Sequence, residues 1–138
     1  VSIDKAMFTS LVVALLAAQA APESPAPAAP GANAIVTLDA LPLEQAAAAR
    51  CAVAFATVSR WQKAGDARGS EYPDIAASGG REFFVRVMAK LMEDTGLGRE
   101  DIIALSTRAA DDNEGEGGAE RVRAIMPACT LMKTAAGL

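Results

Sequence analysis

Apolar positions recur three and four residues apart in four segments of the chain, the spacing that gathers side chains on one face of an α-helix. The first runs over about residues 42–63, with Leu43, Ala47, Cys51, Ala54, Phe55, Val58 and Trp61 in one stripe. Pro42 suits a first helical turn, where its missing N–H would have had no partner, and Glu44 lies in that turn. The block Ala46-Ala47-Ala48-Ala49 has high helix propensity and small side chains that let a second helix come close. A second helix is expected over residues 81–96, with Phe84, Val87, Met88, Leu91 and Met92 inward and Phe83 on the shoulder. Glu82 and Arg86 stand in the favourable i,i+4 order. A third, over residues 99–110, opens on Glu100 and Asp101 and carries Ile102, Ile103, Leu105, Ser106 and Ala109. The fourth, over residues 119–134, presents Val122, Ile125, Met126, Cys129 and Met132, with Pro127 expected to kink or restart it. No segment alternates with the two-residue period of a strand. The expectation is an all-α domain of four helices.

Ahead of these helices the pattern changes. Lys5 precedes the apolar run of residues 6–18, which closes on the small-x-small triplet Ala18-Gln19-Ala20. This is the layout of a cleaved secretory signal, and the run is shorter than the ~20 residues a membrane span needs. Residues 1–20 are therefore expected to be a signal peptide, leaving no stable membrane anchor after cleavage. Residues 21–39 are rich in Pro and Ala and read as a flexible linker. Residues 40–138 form the expected folding unit, large enough for one modest core. A periplasmic or secreted location follows from the signal.

Composition narrows the chemistry. The chain has 13 Lys and Arg against 17 Asp and Glu, a net charge of −4, and no histidine. Such a surface offers no general attraction to phosphate backbones, so nucleic acid is not an expected partner. Without histidine the commonest general base and metal ligand are missing. Cys51 and Cys129 are the two cysteines and both fall on inner stripes. In an oxidising compartment they can pair only with each other, clamping the first helix to the last. Neither cysteine lies in a C-x-x-C pair, which argues against a catalytic thiol.

The acidic run of residues 111–118 fails as a calcium loop in both registers tried. Counted from Asp111, Glu116 holds the sixth place and Val122 the twelfth; counted from Asp112, the twelfth is Arg123. It reads instead as a solvated loop, and no metal or cofactor is expected. The four methionines of the second and fourth helices read as core filling. The fifteen-residue loop of residues 66–80 is long enough to suggest function or mobility. It holds Tyr72 and Arg68, follows Trp61, and leads through Gly79-Gly80 to Arg81 at a helix start. Trp61, Arg68, Tyr72 and Arg81 are the candidate binding residues, for a small anion or a protein partner. A hydrolase would use carboxylates such as Glu82 or Asp74.

Gly80-Arg81-Glu82-Phe83-Phe84-Val85-Arg86 followed by Met126-Pro127-Ala128-Cys129 resembles a group of small exported helical bacterial proteins of uncharacterised function. The resemblance covers about residues 43–138 and implies a helical, disulfide-clamped periplasmic domain with no activity. In architecture alone, a one-disulfide helical domain is similar to the periplasmic acid-stress chaperones, although its inter-cysteine spacing is longer than theirs. The expected function is non-enzymatic protein–protein interaction in the periplasm. An acid-stress chaperone is the alternative, and a carboxylate-based hydrolase a third.

Overall fold

A computed structural model describes residues 37–138; the signal and most of the linker expected from the sequence lie outside the described residues. Four helices follow one another: α1 (Leu43–Lys63), α2 (Gly80–Thr95), α3 (Arg99–Glu114) and α4 (Gly118–Ala135). The fold is all-α, with no strand among the described residues. Before α1, a 3-10 turn at Leu38–Ala40 buries Leu38, so packed structure begins inside the segment read as linker. Among the described residues no helix is long and apolar enough to cross a membrane.

The organising element is α1. It packs against all three other helices, whereas α2 meets α3 only briefly. Its burial goes beyond the expected stripe: Ala46, Ala49, Ala52, Val53 and Thr57 are buried together with Cys51, Ala54, Phe55, Val58 and Trp61. Alanine permits this. A methyl side chain keeps interhelical distances short on several faces at once, and each costs little side-chain entropy to bury. Leu43, expected to begin the stripe, is instead 82 % exposed in the first turn. Thr57 sits among apolar neighbours with its hydroxyl bonded to the Val53 carbonyl (2.9 Å), so no polar atom is stranded.

The sulfurs of Cys51 and Cys129 are joined, with 5.1 Å between their Cα atoms, and link α1 to α4 as the stripes implied. Both cysteines are buried. In α2 Met88 and Leu91 are buried as expected and Val87 and Met92 pack against the core, but the face extends further toward Phe83 than expected. Phe83 is the buried ring and Phe84 the half-buried one, because Phe83 meets Phe55 edge to face at 5.6 Å. Arg86 reaches the Ala136 carbonyl at the end of α4 (3.3 Å), and the i,i+4 pair that α2 forms is Lys90–Asp94.

The other departures lie around the acidic segment. The sequence ends the third helix at residue 110 and makes residues 111–118 a loop, yet α3 continues through Glu114. Tertiary bonds hold the extra turn: Asn113 Nδ2 donates to the buried Thr57 hydroxyl (3.2 Å), and Arg121 donates to the Asp112 carbonyl (2.6 Å). The turn into α4 is tight. A Cβ on Gly118 would stand 2.1 Å from the Asn113 carbonyl oxygen, so only glycine allows the backbones this close. Ile103 is 52 % exposed, leaving Ile102 and Leu105 as the buried positions of α3. Helix α4 runs unbroken past Pro127, which faces solvent, where water can serve the carbonyl its missing N–H leaves free.

Candidate functional site

The long loop before α2 is organised by one side chain. Gln62, in the last turn of α1, donates through Nε2 to the carbonyls of Gly69 (3.1 Å), Tyr72 (3.2 Å) and Pro73 (2.8 Å). Its Oε1 accepts from the Ile75 N–H (3.1 Å). One amide therefore fixes a segment that has little secondary structure of its own. Gly69 lies so close to Gln62 that a Cβ there would be 2.7 Å from the Gln62 nitrogen. The loop expected to be mobile or functional is also tied to the other helices. Arg123 on α4 grips Glu71 with two bonds (2.6 and 2.9 Å), and Lys133 Nζ donates to the Ser78 carbonyl.

Two of the four candidate residues come together. The Arg68 guanidinium lies over the Trp61 ring, 4.5 Å from its centroid, as a cation–π contact. Glu114 completes the cluster. Its Oε1 accepts from the Trp61 indole N–H (2.9 Å) and from Arg60 (2.8 Å), while Oε2 pairs with Arg68 (2.9 Å). Asp66 binds the far side of Arg68 and caps the 3-10 turn Ala67–Gly69 by accepting from the Arg68 N–H (2.9 Å). The sequence reading missed Glu114, having placed it in a loop. An i,i+4 partner for Ala110 at the end of a periodic segment is too weak a signal to reveal it.

These contacts set the protonation states. Arg68, through its side chain first and its N–H second, holds the Asp66 carboxyl at about 2. Burial pushes Glu114 upward, but the bonds from Trp61, Arg68 and Arg60 together outweigh it, and the net shift is downward. Arg68 is shifted upward, chiefly by Asp66. The cluster is thus a fully ionised clasp that ties α1, α3 and the loop together. It offers no proton donor in the range where a general acid would work.

The clasp makes loop attachment dependent on pH. A carboxylate whose folded-state pKa lies below its unfolded value of about 4 adds stability above that value, and loses it as pH falls through the folded pKa. Loop docking therefore weakens from about pH 4 downward as the two carboxylates take up protons. Trp61 is the only tryptophan, so its fluorescence reports the event directly. We expect an emission change between about pH 4 and pH 2. Glu114→Gln should show the altered emission already at neutral pH and a flatter titration. An unchanged wild-type signal down to pH 2 would contradict the clasp.

Tyr72 and Arg81 lie apart from the clasp. Tyr72 is half-buried, with burial first and Glu71 second raising its hydroxyl pKa. It lines an open groove of about 510 Å³ with Gln62, Lys63 and Asp66. Arg81 is exposed in the first turn of α2 and lines a second groove, of about 400 Å³, that shares Ser59, Lys63 and Ala76 with the first. Of the two carboxylates weighed for hydrolysis, Asp74 accepts from the Ala77 N–H (3.0 Å) within the loop, and Glu82 is exposed in the first turn of α2. Among the described residues no group of three or more Cys, Asp or Glu side chains is placed to hold a metal ion. No family model, curated protein or solved structure matches this chain, so the chemistry of these residues carries the functional reading.

Proposed function

We propose that this chain is an exported, non-enzymatic helical module that acts by protein–protein contact, in the periplasm or outside the cell. The observation that carries the reading is the closed clasp. Trp61, Arg60, Arg68, Asp66 and Glu114 engage one another, and the two carboxylates are held ionised. The polar groups best placed for chemistry serve to hold the fold, which leaves the surface grooves as the working parts. Export is supported by the signal-like pattern ending at Ala20 and by a buried disulfide that suits an oxidising compartment. The resemblance to small exported helical proteins agrees.

The test is expression into a bacterial periplasm followed by in-cell cross-linking. Intact mass should show a chain beginning at Ala21, and cross-linking should give a discrete adduct with another protein. Full-length chain in the membrane fraction would overturn the cleaved signal and make this an anchored protein. Uncross-linked monomer alone would overturn the contact reading.

A second reading, an acid-stress chaperone, draws on the same clasp. Acid would release the loop while the disulfide keeps α1 and α4 joined. Hydrophobic-dye binding and suppression of client aggregation at about pH 2.5, absent at pH 7, would favour it. Absence of client protection at about pH 2.5 removes it, and that is the outcome we expect.

A further inference from the structure

We propose that the groove between the C-terminal half of α1 and the start of α2 is the docking face, and that its occupant is an acidic peptide segment carrying apolar side chains between its carboxylates. The proposal rests on the contact reading above and names the partner's chemistry. The groove encloses about 400 Å³, more than a simple inorganic anion would fill. Ile75 and Phe84 contribute to its apolar floor, and exposed Ala56 and Ala76 extend it. Its charged lining is Arg60, Lys63 and Arg81, with no carboxylate, on a chain whose net charge is −4.

That one-sided charge separates it from the other three grooves described. The groove beside Tyr72 includes Asp66 and Asp74 with Lys63. The one between α3 and α4 sets Asp39 and Asp112 against Arg50, Arg108 and Arg121. The one between α2 and α4, about 610 Å³, is rimmed by Glu44 and Asp94 as well as Arg86 and Lys90. Each of those lining sets carries its own counter-charges. In the α1–α2 groove Arg60 is engaged by Glu114, whereas Lys63 and Arg81 take part in no ion pair among the described residues.

Lys63 and Arg81, neither of them in an ion pair among the described residues, stand beside an apolar floor and complement carboxylates spaced along a peptide, with the intervening side chain covering Phe84. Complementarity of this kind chiefly sets specificity and association rate.

The probe is the end-capped peptide Glu-Leu-Glu-Phe-Asp, titrated to millimolar concentration into the isotopically labelled chain and followed by amide NMR. We expect shifts confined to the groove, at Ser59, Lys63, Gly80 and Arg81. The peptide with lysine in place of each acid should leave those signals unmoved. Lys63→Glu with Arg81→Glu should weaken binding roughly tenfold or more, about 1.4 kcal/mol or more. Arg99→Glu, which makes the same charge change as Arg81→Glu at the start of α3, should bind as the parent does. Far-UV circular dichroism and melting of each variant confirm the fold. No groove shifts, equal response to the lysine peptide, equal loss with Arg99→Glu, or binding only to phosphatidylglycerol vesicles would overturn the proposal. The cross-linking test separates the two levels. An adduct that survives Lys63→Glu with Arg81→Glu overturns this groove and leaves the contact reading intact, whereas no adduct with the parent chain overturns that reading itself.

Discussion

Replacing Cys51 and Cys129 together by alanine is expected to lower the unfolding free energy by about 2–5 kcal/mol, the range for native disulfides in small domains. The bridge closes a separation of 78 residues, for which the chain-entropy model gives about 4.5 kcal/mol. Against a total of about 5–15 kcal/mol for a native protein, that is enough to bring this domain near its folding threshold. The measurement is urea unfolding followed by far-UV circular dichroism, with the parent chain run oxidised and reduced. The midpoint should fall in the variant and in the reduced parent alike. The slope against urea should rise, because an uncross-linked unfolded chain exposes more surface. Coincident curves for oxidised and reduced parent would show that the bridge contributes nothing.

The second large effect is expected at Phe55. It is 1 % exposed at the centre of α1 and meets the Phe83 ring edge to face. Phe55→Ala removes a buried ring and leaves a cavity lined by α1 and α2, at a cost of about 3–5 kcal/mol. Phe83→Ala should fall in the same range from the opposite side of the contact. Phe84→Ala tests how α2 is turned, since its ring is only half-buried, and it should cost well under half as much. If Phe84→Ala were the more damaging of the two, α2 would have to be rotated toward the face its periodicity first suggests.

The choice between these two rings shows where sequence reasoning reaches its limit. The four helices were legible because their apolar residues keep a helical period, and the disulfide because both cysteines lie on those stripes. Neighbouring Phe83 and Phe84 are equally apolar, so only the partner ring at Phe55 decides which one turns inward. The alanine block showed that a second helix could come close, but not that burial would spread off the stripe to Ala46, Ala49 and Ala52. The last turn of α3 was illegible because its residues are polar and their partners, Thr57, Trp61 and Arg60, lie more than fifty positions away. Of the candidate residues, Trp61 and Arg68 meet each other in the clasp. Arg81 stands in a groove with Lys63 instead, and Tyr72 beside Gln62. The organising amide of Gln62 gave no sign of itself, since a glutamine near a helix end is ordinary until its loop folds around it.

The central position of α1 also has a consequence in time. Chains emerge from their N-terminal end, so the helix that is buried on several faces is the first made, and each element that covers it comes later. Cys51 waits for 78 more residues before Cys129 exists. At ribosomal rates that is on the order of 4–16 s, far longer than a helix needs to form. During this interval the Val53, Phe55 and Val58 surface has no lasting cover, and the Cys51 thiol is open to other oxidants and other thiols. The bridge can therefore close only once α4 has been made, and the nascent chain needs shelter most while α1 stands without the helices that cover it.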